Sequence, residues 1–253
     1  MPIIDGQIAV LKDEDRGVFR AAEPLVVNEK DGSVLIEVPA GEFEMGDGKD
    51  SDCPKHRVHL DRYWIGIYCV SNRQYERFVR ETGHRAPNNS RWKEALNADH
   101  PVTDVSWDDG GAYAKWAGCV LATEAQWEKA ARGLKGLIYP WGNEWDQKKC
   151  RNDQNKGNEQ TSVVWGYGVG SSGYGTYNQS GNVWEWTADW YGDDYYGKSS
   201  EENPRGPERG SVLVPRGGCW WFGVASIFRG ANRDWFVPAF RFVFLGFRLA
   251  RTL

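Results

Sequence analysis

The stretch that decides the fold is Phe-Arg-Gly-Ala-Asn-Arg-Asp-Trp-Phe-Val-Pro-Ala-Phe-Arg-Phe-Val-Phe-Leu-Gly-Phe-Arg, residues 228–248. Seven of the ten phenylalanines of the chain lie within its last 32 residues. Glycine, proline, asparagine and arginine interrupt this run, so it cannot form one continuous buried helix or strand. Some of the rings must therefore fill a core, while others stay at a surface, where clustered aromatic side chains form binding sites.

The composition of the chain narrows the classes of protein to consider. Its 253 residues carry a formal net charge of −4, without the basic character of nucleic-acid-binding domains. The 14 tryptophans and 30 glycines indicate large rings joined by tight turns in a loop-rich fold. Five cysteines without Cys-x-x-Cys spacing are typical of free buried thiols rather than of a disulfide framework or a zinc site.

Hydrophobic periodicity divides the N-terminal part of the chain into short elements. Residues 1–33 are weakly periodic, and we interpret them as an extension that precedes a domain spanning 34–253. Within this domain the pattern of 34–46 predicts a β-hairpin, and the alternation over 57–68 predicts a further strand.

Three helix-capping signals follow, and each predicts a short helix. The first helix should span about 72–82, the second should run from Ser106 to just before Gly118, and the third from Thr123 to Gly133. After the third helix, glycine, asparagine, aspartate, serine and proline recur every few residues. This composition predicts long ordered loops, which in a compact domain are usually functional.

A series of motifs, found in one order along residues 34 to 250, is more specific than any single pattern. They are Pro39–Gly46, His56–Gly66, Ser71–Phe78, Pro101–Asp109, Leu121–Gly133, Tyr139–Glu144, Asn178–Trp186, Arg216–Trp220 and Gly246–Arg248. This set resembles the formylglycine-generating-enzyme (sulfatase-modifying factor) family. The resemblance implies an α+β, C-type-lectin-like fold with short helices, small antiparallel sheets and long ordered loops, in which the terminal strands pair.

The catalytic chemistry of that family is expected to be absent. The resemblance implies copper held by two cysteines shortly after the Arg-Gly-Gly motif, but residues 220–228 contain none. Cys219 stands alone there, and a thiolate copper site needs at least two soft ligands. The histidines, all before residue 101, lack the spacing of an iron triad, and we read His56 and His59 as ordinary strand residues. An oxidoreductase of the formylglycine-generating type with a displaced site at Cys219 stays the alternative.

The C-terminal block, about 216–250, resembles the variable region of proteins that a diversity-generating retroelement diversifies. The resemblance implies that fixed residues hold the backbone while the positions between them vary. The fixed frame comprises Arg216, Gly217, Gly218, Trp220, Arg229, Ala231, Asn232, Arg233, Pro238, Arg241, Gly246, Phe247 and Arg248. Trp221 and Trp235 need a template codon other than an adenine-rich asparagine codon, or are fixed, because adenine randomisation of that codon cannot produce tryptophan.

We expect the side chains between the frame residues to bind a ligand, since rigid aromatic rings give large contact areas at low entropy cost. The alternative is that these rings build the core of two terminal strands. The predicted ligand-binding residues are Trp221, Phe222, Val224, Ser226, Phe228, Asp234, Trp235, Phe236, Val237, Phe240, Phe242 and Phe244.

The function expected from this resemblance is non-enzymatic binding of a protein or another cell-surface ligand. Such a role places the protein at the cell surface or outside the cell. No apolar run reaches membrane-spanning length, and residues 1–5 lack the features of a signal peptide, so a lipid anchor would require a signal that has been removed. No nucleic-acid partner is expected.

A structural calcium ion is the one cofactor that the sequence suggests, and ligand binding requires none. In Asn178-Gln-Ser-Gly-Asn-Val-Trp-Glu185 the side chains of Asn178 and Glu185 and the carbonyls near Gly181 and Val183 offer hard oxygen ligands. Members of the resembling family bind calcium at this motif. The alternative is a structural turn in which Glu185 accepts backbone N–H bonds.

Overall fold

The computed structural model describes residues 25–252. Its strands, in chain order, are β1 (Leu25–Val27), β2 (Val34–Val38), β3 (Gly41–Met45), β4 (His56–Leu60), β5 (Tyr63–Gly66), β6 (Val120–Leu121), β7 (Trp184–Trp190), β8 (Leu213–Arg216), β9 (Leu245–Phe247) and β10 (Leu249–Thr252). Its α-helices are α1 (Asn72–Thr82), α2 (Trp107–Trp116) and α3 (Glu124–Arg132). None of these helices has the length and apolar character needed to cross a membrane.

An antiparallel sheet of five strands, in the order β1-β2-β5-β10-β6, joins the two ends of the described chain. Leu25 pairs with Ile36 at one edge, and Ala250 pairs with Ile65 near the other. The strand β1, which lies before the predicted domain boundary at residue 34, belongs to this sheet. The rest of the predicted extension, residues 1–24, lies outside the described residues.

The hairpin predicted over 34–46 is wrong, although both of its strands exist. The strand β2 pairs with β5, whereas β3 pairs with β4 in a separate two-stranded sheet. Gly41 begins β3 with a φ of 136°, which turns the chain away from the first sheet. The strand predicted over 57–68 is likewise two strands, β4 and β5, one in each sheet.

All three predicted helices are confirmed, together with the capping signals that defined them. In each helix the N-cap hydroxyl accepts a hydrogen bond from the third helical residue, whose side chain bonds back to the cap. The helix α3 differs from the other two because all nine of its residues are buried. It therefore lies inside the domain, where its polar side chains face other buried groups.

The third sheet positions the C-terminal region. Its central strand β7 pairs antiparallel with β8 and parallel with β9. Residues 217–244 leave the sheet at the end of β8 and return at the start of β9, with a single 3₁₀ turn, Ala225–Phe228, between them. Two isolated bridges, Leu213 to Phe236 and Arg216 to Arg233, pair this excursion with β8, the strand that precedes it.

Candidate functional site

Buried arginines hold the excursion of residues 217–244 at its start and near its middle. Arg216 donates from Nη1 to Oε1 of Glu124 at 2.7 Å and from Nη2 to Oε2 of Glu128 at 2.6 Å. Arg233 donates from Nε to the same Glu124 oxygen, also at 2.7 Å. Since α3 carries both glutamates, this network fixes the loop to the buried helix, and its charges are paired as burial requires.

Three further arginines of the frame extend this anchoring. Arg229 donates to Asp47 at 2.6 Å, Arg241 donates to the carbonyl of Asp104 at 2.8 Å, and Arg248 forms two bonds to Glu185. All five frame arginines therefore contact parts of the chain far from them in sequence. The backbone of the excursion is held without regular secondary structure.

The glycine pair after Arg216 lets the chain leave β8 close to α3. Gly217 has a φ of 99° and Gly218 a φ of 73°, both in the region that side-chain-bearing residues rarely adopt. A Cβ atom at Gly217 would also lie 3.1 Å from the ring of Trp127. The turn therefore requires glycine for its backbone conformation and for the space beside the tryptophan.

Asp189, beside the arginine network, is a buried acid without an arginine of its own. One of its oxygens accepts a hydrogen bond from the backbone N–H of Glu124 at 2.7 Å. Burial, and then the neighbouring Glu124 carboxylate, raise the pKa of Asp189 to about 8. The folded protein therefore holds a proton on this group at pH values where the unfolded chain has released it.

We expect the change Asp189→Asn to flatten the pH dependence of stability. A carboxyl group whose pKa rises on folding stabilises the fold fully only below its unfolded pKa, and this contribution is lost as the pH rises through about 8. Relative to wild type, the variant should gain at least ~1 kcal/mol in unfolding free energy between about pH 5 and about pH 8. Urea denaturation at several pH values measures this difference, and parallel curves for the two proteins would contradict it.

Five predicted rings form one continuous cluster on the outside of the excursion, which we name the aromatic surface: Trp221, Phe236, Phe240, Phe242 and Phe244. The rings of Phe242 and Phe244 stack with centroids 4.9 Å apart, and Phe240 meets Phe242 edge-on at 5.0 Å. Phe236 lies within 6.5 Å of all three phenylalanines, and Trp221 lies 6.4 Å from Phe244. Trp221 is 56% exposed and Phe240 is 39% exposed, so the surface is open to solvent.

The aromatic surface also rests on the core. Phe236 meets the buried rings of Trp184 and Trp186 edge-on, at 6.2 and 6.1 Å. Phe242 and Phe244 are half-buried and pack against the same hydrophobic cluster. The two interpretations of these rings, core or surface, are thus both partly correct: their inner edges fill a core and their outer edges face water.

The other predicted ligand-binding residues lie outside this cluster. Trp235 and Val237 are exposed on the irregular segment on either side of Phe236, close in sequence to the half-buried Asp234. Val224, just before the 3₁₀ turn, and Ser226, within it, are exposed. Phe222 is half-buried, with its ring 6.5 Å from that of Trp184. These residues surround the aromatic surface without forming a second cluster of rings.

Phe228 is a correction to the predicted set, because its side chain is fully buried. Its ring stacks on that of Trp145 at 5.0 Å, and its carbonyl accepts a hydrogen bond from Ser180 at 2.7 Å. Its place beside the frame residue Arg229 explains this burial, since Arg229 is held against Asp47. Phe228 therefore supports the 3₁₀ turn from below and cannot contact a ligand in this arrangement.

Lys156 belongs to the site although no sequence pattern indicated it. Its Nζ atom lies 4.9 Å from the ring centre of Trp220 and 5.4 Å from that of Trp221. An ammonium group over an indole ring is attracted by the negative face of the ring. This lysine comes from a long loop about 65 residues earlier, and only the folded chain brings it to the tryptophans.

The predicted calcium ligands are not arranged as the sequence suggested. Each carboxylate oxygen of Glu185 accepts two hydrogen bonds, one from Arg248 and one from Trp127 or Cys69. Four bonds use the full accepting capacity of a carboxylate, so Glu185 has no oxygen lone pair left for a cation. The buried Oδ1 atom of Asn178 does lack a partner, which suits a cation. Calcium at this turn stays a prediction, and it requires Arg248 to release part of Glu185.

The cysteines show no arrangement typical of a thiolate metal site. All five are free and buried. Burial raises the pKa of the Cys219 thiol to about 12, which disfavours the thiolate form that binds copper or attacks a substrate. Within residues 25–252, no three histidine, cysteine or acidic side chains lie close enough together to hold a metal ion.

Known structures share this architecture over nearly the whole chain. PvdO from Pseudomonas aeruginosa is 26% identical, with a TM-score of 0.78 over 91% of this chain and 98% of its own. Treponema denticola variable protein 1 has a TM-score of 0.76 and covers 91% of this chain and 99% of its own, and at 23% identity this likeness concerns the fold alone. The predicted α+β, C-type-lectin-like fold is confirmed.

The sequence relatives agree with these structures. A formylglycine-generating enzyme of Streptomyces coelicolor is 32% identical over 278 residues, which cover 85% of this chain and 88% of that enzyme. The model of the sulfatase-modifying factor enzyme 1-like domain matches residues 19–253. The chain therefore belongs to the family of sulfatase-modifying factor enzyme 1-like domains.

Proposed function

We propose that this protein is a non-enzymatic binding protein whose C-terminal surface, diversified by a retroelement, captures protein or cell-surface ligands. The aromatic surface would supply the main contacts, and the exposed side chains around it would supply the variable rim. The protein would act at the cell surface or outside the cell. Ligand binding of this kind needs no cofactor.

The observation that carries this proposal is a contrast within residues 216–248 between the fixed frame residues and the side chains that lie between them. Arginines and glycines of the frame are buried or conformationally constrained, whereas most side chains between them are exposed or half-buried. Such a division lets the exposed side chains change without loss of the fold, which is what a diversified binding surface needs. Trp221, the exposed tryptophan of this surface, is of a residue type that often dominates binding energy at interfaces.

The second candidate is an oxidoreductase of the formylglycine-generating type, favoured by the 32% identity to such an enzyme. Two features of the site weigh against it. Cys219 is fully buried behind the aromatic surface, and residues 220–228 offer no second thiol. A copper site of the expected kind would therefore need ligands that this part of the chain does not provide.

The test of the proposed function lies in the DNA beside the gene. We expect a near-copy of the codons for residues 216–250 that differs mainly at adenines, together with a reverse-transcriptase gene. The protein sequences of sister isolates should then differ at the positions between the frame residues and agree at the frame arginines and glycines. The proposal fails if neither the near-copy nor such variation exists, and aldehyde formation on a Cys-x-Pro-x-Arg peptide would establish the oxidoreductase instead.

A further inference from the structure

The ammonium group of Lys156, at the edge of the aromatic surface, has no acidic partner. Within residues 25–252 its Nζ atom forms no ion pair and no hydrogen bond, and it lies over the rings of Trp220 and Trp221 alone. The atom is not one of the buried side-chain atoms that lack a partner, so solvent reaches it. A ligand on the aromatic surface can therefore pair with this charge.

A buried arginine holds the loop that carries the lysine. Arg151 donates from Nη2 to the carbonyl of Lys156 at 2.9 Å, from Nη1 to that of Asn155 at 3.0 Å and from Nε to that of Gln160 at 2.9 Å. These three bonds fix the backbone on both sides of Lys156. The loop is thus in place before a ligand binds, which lowers the entropy that binding costs.

The rings beneath the ammonium group are also held in place. Trp220 is 3% exposed, and its Nε1 atom donates to the carbonyl of Val243 at 3.3 Å. The negative faces of two indole rings attract the ammonium group and replace part of its water. A carboxylate that approaches from the solvent side therefore meets a positioned cation, and hydrogen bonds between two charged groups are stronger than those between neutral groups.

The acidic side chains of the neighbouring segments are occupied elsewhere. The Oδ1 atom of Asp153 is buried, and Glu159 lies 3.5 Å from Arg151. The Oδ1 atom of Asp234 accepts a hydrogen bond from the backbone N–H of the next residue at 2.8 Å. In the part of the chain that the structure describes, none of these three carboxylates forms an ion pair with Lys156. Its charge is left for a partner from outside.

Diversification would change neither half of this contact. Lys156 lies outside residues 216–250, and Trp220 belongs to the frame. Resting on the proposed function, we propose that the ligands of the aromatic surface share one feature, an aspartate or glutamate side chain of a protein segment that pairs with Lys156. Specificity would vary with the exposed rings, while the requirement for an acidic group would stay constant.

The geometry also places an apolar side chain of the ligand beside that acidic group. The ring of Trp221 lies 5.4 Å from Nζ of Lys156 and 6.4 Å from the ring of Phe244, which stacks on Phe242. Trp221 thus connects the cation to the stacked phenylalanines. An apolar side chain that packs on this stack must lie within a few residues of the acidic one, since an extended chain advances about 3.3 Å per residue.

Peptides from a random displayed library, selected on the wild-type protein, test this inference. Aspartate and glutamate should occur in the selected peptides at least about twice as often as in the unselected library. For the tightest binders, Lys156→Met should raise the Kd by about tenfold, because methionine keeps an unbranched apolar stem and removes the charge. Replacing the acidic residue of the peptide with its amide should do the same on wild type and should add little on Lys156→Met.

The matched control is Lys30→Met. Lys30 also lies over an indole ring, 4.9 Å from the ring centre of Trp116, but it already pairs with Glu81 at 2.7 Å. This variant removes the same charge from a different surface and should leave the Kd unchanged. Equal Kd values for the two lysine variants would overturn the inference. Should Lys156→Met fail to fold, the amide-substituted peptides decide the point on the wild-type protein.

The same peptides separate this inference from the proposed function. Peptides that require Trp221 and Phe240 but bind Lys156→Met as they bind wild type would leave the proposed function standing and overturn the acidic requirement. If Trp221→Ser/Phe240→Ser binds all selected peptides as wild type does, or if the library yields no binder, both proposals fail. Binding that is lost in the double variant and weakened in Lys156→Met supports both.

Discussion

Replacing Arg248 with methionine should lower the free energy of unfolding by roughly 3–5 kcal/mol, the largest effect we expect from a single change in this protein. Arg248 and Glu185 are both fully buried, and their two hydrogen bonds measure 2.5 and 2.6 Å. Without the guanidinium group, Glu185 would keep only Trp127 and Cys69 as hydrogen-bond donors. A buried carboxylate that has lost its counter-charge strongly destabilises the folded state.

The comparison that isolates this effect uses two further proteins in urea denaturation. The double variant Glu185→Leu/Arg248→Met removes both charges and should recover part of the loss, since an apolar pair leaves no charge unpaired. Arg209→Met changes an exposed arginine and should alter stability by less than about 0.5 kcal/mol. If Arg248→Met proves no more destabilising than Arg209→Met, the buried pair does not hold the C-terminal frame as we describe.

The helices could be predicted from the sequence because their signals are local. At α1, Ser71 and Gln74 stand three residues apart, and their reciprocal hydrogen bonds depend on little beyond the first turn. The same holds for the caps of α2 and α3. Short-range chemistry of this kind survives in almost any tertiary context, so the sequence pattern and the structure agree.

Strand pairing could not be predicted in the same way, because it depends on partners far along the chain. The alternation of β2 and β3 indicated two strands correctly, but β2 finds its neighbour β5 some 30 residues later. The strand β3, which is nearer in sequence, pairs with β4 instead. Period-2 alternation shows which side chains share a face, and it says nothing about which strand lies alongside.

The candidate site shows the same limit. Its aromatic character was visible in residues 228–248, yet nothing local distinguishes the buried Phe228 from the exposed Phe240. Their environments are set by Trp145 beneath the first and by open solvent beside the second. Lys156 was missed for the same reason, since its partner Trp221 is distant in sequence. The frame arginines could be recognised from the resemblance, but their glutamate and aspartate partners required the structure.

The double change Trp221→Ser/Phe240→Ser should abolish ligand binding while leaving the fold nearly intact. Trp221 is 56% exposed and Phe240 39% exposed, both at the outer edge of the aromatic surface, so their removal should cost no more than about 1 kcal/mol of stability. Aromatic anchors at the centre of an interface commonly contribute 2 kcal/mol or more each, so the joint loss of both should weaken binding by about 1,000-fold if the two contributions add. The inner rings Phe236 and Phe242 are unsuitable for this test because they also pack on the core.

Peptides selected from a random displayed library on the wild-type protein provide the probe for this measurement. The matched control is Leu134→Ser/Val169→Ser, which removes two exposed apolar side chains, 62% and 65% accessible, outside the aromatic surface. Selected peptides should bind this control with the same affinity as wild type. Their affinity for the Trp221→Ser/Phe240→Ser protein should be lost. Equal binding to all three proteins would show that the exposed rings are not the recognition surface. If the Trp221→Ser/Phe240→Ser protein unfolds instead, these rings serve the core, because a solvent-facing ring contributes little to the cohesion of a fold held by buried arginine pairs.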